Sequence, residues 1–262
     1  MPKPDWNARA SRASELISQV PAAAELLHFY ANLAEFEGQI HARVAAGAAA
    51  DPHRPLRGQL DPSLLAPFVP ELFRITETHG PARLAEAGAR LRAAGPHTWR
   101  ELQMDYVAGL ESDNPVDTFF ARVCVEPYAE HLAAQIPLRH LQAAGTCPIC
   151  TGKPLLGVLR PEGDGARRSL VCSFCLNEWE FRRVVCPVCG EEGHGKLPVY
   201  TAEEFPHIRV ESCDTCNHYL LSVDLSKNGL AVPLVDEIAA ASMNVWAAEK
   251  GYQKIVPNLL GI

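Results

Sequence analysis

Four cysteine pairs, CPIC (147–150), CSFC (172–175), CPVC (186–189) and CDTC (213–216), decide how this chain is read. They form a repeat: CPIC recurs as CPVC at an offset of 39, and CSFC recurs as CDTC at an offset of 41. Within each copy, 21 or 23 residues separate the two pairs. β-prone residues precede the second pair in both copies, Ser169-Leu170-Val171 and Ile208-Arg209-Val210. Two units of similar plan, side by side, are the economical reading.

A C-x2-C pair in a tight turn presents two sulfurs on one side of the backbone, and turn amides can hydrogen-bond them. Two such turns facing each other make a tetrahedral four-sulfur cage, the arrangement of structural zinc sites and of single-iron rubredoxin centres. Pro148 and Pro187 stiffen the first turn of each copy, and Gly190 suits the left-handed backbone that often follows such a turn. A unit of this size has too little core to fold alone, so the metal supplies much of its folding free energy. The expected ligands are Cys147, Cys150, Cys172 and Cys175 for one ion and Cys186, Cys189, Cys213 and Cys216 for a second. The repeat favours this sequential grouping because each copy then closes its own cage. A cross-braced grouping, pairs one and three on one ion and two and four on the other, stays open on spacing alone.

Other cysteine chemistries fit less well. Rings closed within C-x2-C are strained as disulfides. A thioredoxin-type site uses one pair, not four. A c-type haem needs C-x-x-C-H, and here Asn217 separates Cys216 from His218. The ninth cysteine, Cys124, lies in FFARVCVEPYAEHL, a predicted helix, and reads as a buried structural residue.

Working outward, residues 1–140 are rich in alanine and leucine and read as an all-α domain of five to seven helices. Leu26, Phe29, Tyr30, Leu33, Phe36 and Ile40 step by three or four, marking one helix face. Asp61-Pro62-Ser63 predicts a helix start near 63, Gly80-Pro81 a boundary before the next helix, and further helices are expected over 98–111 and 116–135. After about 145 the texture turns to glycines and β-branched runs, expected as short strands around the cysteine turns. The expected organisation is thus α+β. A helical domain (1–140) precedes two tandem rubredoxin-like or zinc-ribbon-like modules (141–183 and 184–226). A C-terminal helix and an irregular tail (227–262) follow, with Val235, Ile238, Ala239, Ser242, Val245 and Trp246 on one helix face.

Composition narrows the function. With 47% hydrophobic and 21% charged residues in 262, a real core is expected. The formal net charge is −7, and four thiolates with a divalent ion add −2 per site, so the loaded protein sits near −11. That balance argues against a nucleic-acid binder. No run reaches the roughly 18 apolar residues of a membrane span, and the N-terminus lacks an apolar signal core, so a cytoplasmic protein is expected. Cages whose positions are all filled by sulfur leave none for substrate, which disfavours an enzyme. Arg167-Arg168 and Arg182-Arg183 either balance thiolate charge, contact an acidic partner or form a solvated face. His194 and His218 read as surface or loop residues, and Trp179 and Phe181 as a hydrophobic cover for the first site.

The cysteine half resembles the formate dehydrogenase accessory protein FdhE family. The resemblance rests on GTCPIC (145–150), LVCSFCLNEW (170–179) with Arg182, CPVCG (186–190) and ESCDTCNHYL (211–220). It continues in Glu249-Lys250-Gly251-Tyr252 before Asn258, and one departure is Leu221, where a lysine is expected. The resemblance implies a cytoplasmic helper that contacts the catalytic subunit of respiratory formate dehydrogenase during assembly or activation. It also implies rubredoxin-like modules holding iron, with zinc as the alternative. A rubredoxin-like electron-transfer protein and a zinc-ribbon nucleic-acid binder are the competing functions. Homo-oligomers are compatible with the sequence.

Overall fold

The computed structural model describes residues 5–110, 114–137 and 145–262. The boundary expected at 140/141 lies outside the described residues, and the helix expected over 98–111 ends already at Ala108, where Gly109 turns left-handed (φ 78°). The chain groups into two units, one built from residues up to Ser11 and His28–Pro137, the other from Arg12–Leu27 and the chain beyond Pro137. The division falls inside the first two helices, α1 (Trp6–Gln19) and α2 (Ala24–Ala45).

In the helical unit, α2 is followed by α3 (Val69–His79), α4 (Ala82–Ala94), α5 (Pro96–Ala108) and α6 (Pro115–Ala133). The α2 face largely follows the periodicity: Phe29, Tyr30, Leu33, Phe36 and Ile40 are all buried, while Leu26 in its first turn is half-buried. Phe73 of α3 packs edge-on to Trp99 of α5 at 5.1 Å and against Phe120 of α6 at 5.7 Å, fixing those three helices around one aromatic cluster. The helix expected from 63 starts later. Asp61 does cap Ser63 N–H at 2.9 Å, but residues 62–68 form 3-10 turns and α3 begins only at Val69. Pro67 and Pro70 each remove a donor that a continuous α-helix needs, so tighter turns replace its first two windings.

In the second unit the cysteine repeats build strands β1 (Pro154–Glu162), β2 (Gly165–Cys172), β3 (Glu178–Glu180), β4 (Val199–Ala202), β5 (Phe205–Cys213) and β6 (His218–Asp224). Helices α7 (Pro233–Ala239) and α8 (Ala241–Glu249) and the short strand β7 (Gln253–Lys254) follow. Each repeat is a three-stranded antiparallel meander, β1-β2-β3 and β4-β5-β6. The two meanders share one sheet of order β3-β2-β1-β6-β5-β4, with β7 also on β6. The junction joins the first strand of one repeat to the last of the other, in parallel, at Gly157↔Ser222, Val158↔Val223 and Leu159↔Asp224.

Strand alternation gives this sheet two faces. Ile208, Val210, Tyr219, Leu221 and Val223 pack against Ala240, Met243 and Ala247. Leu221, the position at which the resemblance leads to an expected lysine, is fully buried in this core. Arg209 and Glu211 of β5 and Leu220 of β6 alternate onto the opposite face. The expected single C-terminal helix is interrupted at Ala240 (ψ 31°), which changes its phase. Met243, Asn244 and Ala247 face inward, while Ser242 and Val245 are exposed. Arg12 of α1 reaches the start of α7, where both its Nε and Nη2 donate to Asp236 at 3.0 and 2.8 Å.

Candidate metal centres

Each cage is assembled from two turns of one shape. In the first turn the Cys147 N–H donates to the Gly152 carbonyl at 2.8 Å, and the Thr151 N–H donates back to Cys147 O at 2.9 Å. The third turn repeats both bonds, Cys186 N–H to Glu191 O at 2.9 Å and Gly190 N–H to Cys186 O at 3.0 Å. In the second and fourth turns, Cys172 N–H donates to Asn177 O and Asn217 N–H to Cys213 O. The residue after the second cysteine of every pair has positive φ: Thr151 (61°), Leu176 (52°), Gly190 (76°) and Asn217 (57°). Among the described residues Thr151, Leu176 and Asn217 are the only non-glycine residues with positive φ, and holding each there costs roughly 1 kcal/mol or more. Sequence reading finds Gly190 because glycine marks this conformation. The other three are marked only by their place after the pair.

The turns bring the eight sulfurs into two groups of four, Cys147/Cys150/Cys172/Cys175 and Cys186/Cys189/Cys213/Cys216, with all four within 4.8 Å of one another in each. Sγ atoms of Cys150 lie 3.3 Å from Cys172 and 3.4 Å from Cys175, and those of Cys147 and Cys175 are 3.7 Å apart. In the second group, Cys186–Cys216 is 3.7 Å and Cys189–Cys213 is 3.6 Å. Bonds of about 2.3 Å to a central ion put tetrahedral sulfurs about 3.8 Å apart, whereas a disulfide needs about 2.05 Å. The groups therefore match a metal cage and not cystines, and each follows the repeat rather than the cross-braced alternative. Neither His194 nor His218 joins a group.

The surroundings supply what thiolates need. Phe174 N–H donates to Cys172 Sγ at 3.3 Å, Val188 N–H to Cys186 Sγ at 3.4 Å, and the Asn177 amide to Cys147 Sγ at 3.8 Å. Burial pushes the Cys172 and Cys175 thiols well above their ordinary range, while sulfur neighbours pull that of Cys147 down. Gly152 closes the first cage from behind: a Cβ at that position would lie 2.7 Å from Cys172 Sγ. The donor sets suit zinc or iron alike.

The cages differ in exposure. All four cysteines of the first are buried, whereas Cys189 of the second is exposed and Cys216 half-buried. The chain's tail is latched beside the second cage. Tyr252 OH donates to Asp214 at 2.6 Å, and the N–H groups of Gln253 and Ile255 donate to the carbonyls of Asn217 and Tyr219. Asn258 reaches Glu237 at 2.7 Å.

Of the flanking arginines, Arg168 is buried and pairs with Glu211 at 2.7 Å, while Arg167 and Arg182 reach Glu162 and Glu192 at the surface. Phe181 packs on the Arg168 guanidinium at 5.3 Å. Cys124 is buried in α6, and burial pushes its thiol up to about 12, as suits a packing residue. No helix among the described residues is long and apolar enough to cross a membrane.

Comparison with known proteins follows this anatomy. The family model for the FdhE central domain matches residues 146–183, and that for the FdhE C-terminal domain matches 184–260. A protein FdhE homolog of Aquifex aeolicus is 26% identical over 96% of this chain and 93% of its own length. Homologs from Haemophilus ducreyi (31% identical over 54% of this chain) and Stutzerimonas stutzeri (35% over 47%) are matched over only 47% and 40% of their own lengths. The crystal structure of the FdhE protein from Pseudomonas aeruginosa superposes with a TM-score of 0.74, covering 98% of this chain and 97% of that one at 23% identity. Both cage-bearing repeats fall within the matched FdhE domains, and the fold is shared end to end with that of the FdhE crystal structure.

Proposed function

We propose that this chain is a cytoplasmic accessory protein of a formate dehydrogenase, binding the enzyme's catalytic subunit during assembly or activation, with one iron ion in each four-cysteine cage. The observation that carries the reading is the coincidence of matches to both FdhE domain models with two complete cages on one sheet. Cys147, Cys150, Cys172 and Cys175 hold the first ion, and Cys186, Cys189, Cys213 and Cys216 the second. With sulfur at all four positions, the metal builds a surface or carries electrons rather than activating a substrate, so the protein acts as a helper and not as an enzyme.

The test is capture of the metal-free catalytic subunit by tagged protein, alongside formate dehydrogenase activity in a strain lacking this chain. Capture with loss of activity is expected; no capture and full activity overturn the reading. Metal analysis with a visible spectrum, on protein purified without oxygen, separates iron from zinc. One observation favours a second reading, an electron-transfer protein: the exposed Cys189 brings the second cage within reach of solvent. A colourless, zinc-only protein rules that out.

A further inference from the structure

On the sheet face away from α7 and α8, a cleft of about 210 Å³ opens over the junction of the two repeats. Its walls come from β1, β2, β5 and β6 and from the segments 183–187 and 194–199, and Cys186 and Cys213 of the second cage stand at its side. Three arginines line it: Arg168, Arg183 and Arg209. His194 and His218 add two imidazoles, and Glu211 is the single acidic group in the lining.

Arg168 and Arg209 are counterparts in the repeat, four residues before Cys172 and four before Cys213. The sheet brings them to the same cleft from opposite repeats. Glu211 stands between them, accepting from Arg168 Nη2 at 2.7 Å and approaching Arg209 Nε at 3.5 Å. Arg168 also donates to the carbonyls of Arg182 and Val185, and Arg209 comes within 3.6 Å of Asp224. These acceptors fall short of the donors, since each guanidinium carries five N–H groups. The Nε–H of both Arg168 and Arg209 is buried without a hydrogen-bond partner. Arg168 is only 3% exposed, so its charge sits where solvent compensates it poorly. Exposed Arg183 at the rim adds a third cation.

We infer that this cleft binds a compact oxyanion, carboxylate or phosphate, held by Arg168 and Arg209 from the two repeats and closed by Arg183. Guanidinium groups recognise planar or tetrahedral oxyanions through paired N–H donors. The volume is below the roughly 300–1,000 Å³ of cofactor-sized pockets, which restricts the occupant to a small acid or an acidic side chain of similar bulk. The site is separate from the cages' own coordination, because every cage ligand is sulfur. The inference therefore stands or falls independently of which enzyme the chain serves.

The experiment uses full-length protein loaded with zinc at both cages, titrated with inorganic phosphate and, separately, with acetate, at constant ionic strength made up with chloride. Amide chemical shifts are followed by NMR. Saturable shifts confined to Val184, Val185, Leu197 and Leu220 are expected, and whichever anion produces them tells phosphate from carboxylate recognition. Arg209→Gln and Arg183→Gln are each expected to weaken binding by about tenfold, the worth of one hydrogen bond to a charged group, while both variants keep two zinc ions. Arg183 is exposed, so its variant reports even if Arg209→Gln folds poorly. Two results overturn the inference: no saturable shift with either anion, or an affinity unchanged in Arg183→Gln.

Discussion

Replacing Gly152 with alanine adds one methyl group behind the first cage. The added Cβ would stand 2.7 Å from Cys172 Sγ, 3.3 Å from Cys150 Sγ and 3.4 Å from Phe174 Cβ. Comfortable contacts of this kind lie at about 3.5–4.0 Å, so the Cys172 sulfur has to retreat by about 1 Å. Metal–sulfur distances tolerate only about 0.2 Å, and a displacement of that size removes Cys172 from the ion. Gly152 is not among the positive-φ glycines, so alanine brings no backbone strain and the effect is purely steric. Binding at a four-thiolate site is worth about 10–16 kcal/mol, and one quarter of it is about 2.5–4 kcal/mol. The first cage is thus expected to weaken by about two to three orders of magnitude, close to the effect of Cys172→Ser. Competition for zinc against a chelator of known affinity measures it, with the second cage as an internal reference. Two zinc ions held with wild-type affinity by Gly152→Ala would refute the reasoning.

Three further outcomes follow from the same unit. A Cβ on Gly157 would meet Ser222 Oγ at 2.1 Å and Ser222 Cβ at 3.1 Å across the repeat junction; Gly157→Ala is expected to cost about 1–3 kcal/mol, read as a lowered thermal midpoint and partly restored by adding Ser222→Gly. Asp236 accepts two bonds from buried Arg12, one from His207 and one from the Val232 N–H, so Asp236→Ala leaves the Arg12 charge with Glu15 alone and is expected to cost about 2–3 kcal/mol in denaturant titration. Although burial alone would raise it, the bonds from His207 and Arg12 hold the Asp236 carboxyl below the usual range. Its contribution is therefore constant at neutral pH and fades only below about pH 4, on the acid side of the ordinary carboxylate value. Finally, a chelator should strip the second cage first, through exposed Cys189, giving two release phases; a single phase, or earlier alkylation of Cys147 than of Cys189, contradicts this.

The sulfur grouping was legible because ligand chemistry acts locally: two turns and the strands between them suffice to close each cage. The α2 face was legible for the same reason, its residues lying within a few turns of one another. Where reading failed, the deciding interaction was remote or chemically unmarked. Helix α1 buries Arg9 and Arg12 alongside Trp6, Ala13 and Leu16, and the burial of the two arginines makes sense only with Glu130 and Asp236, more than a hundred residues away. The break at Ala240 carries no glycine or proline to announce it, so the inward face of α8 was read out of phase. Prolines 67 and 70 were visible, but the cap at Asp61 looked like a stronger signal than their missing donors. Parallel pairing of β1 with β6 has no local signature at all. Its one trace in the sequence is Gly157, which lets the Ser222 side chain of the neighbouring strand approach the backbone.

That junction bears on how the two cages relate. Strand β6 leaves the fourth cysteine turn directly, and β1 begins four residues after Cys150. An ion held in the second cage would therefore anchor the strand on which β1 of the first repeat is laid. A second contact runs alongside, for a Cβ on Gly145, two residues before Cys147, would strike the Pro187 carbonyl at 2.0 Å. Both routes tie the first cage to the turns of the second. Independent modules would bind two ions with unrelated affinities. A shared sheet makes order at one cage a precondition for order at the other, since the free energy of metal binding is also folding free energy. Emptying the second cage with Cys213→Ser and Cys216→Ser should accordingly weaken zinc binding at the intact first cage, and also expose amides of β1 to hydrogen exchange. An unchanged first-cage affinity, with β1 still protected, would mean that the sheet holds without the second ion and that the coupling argument is wrong.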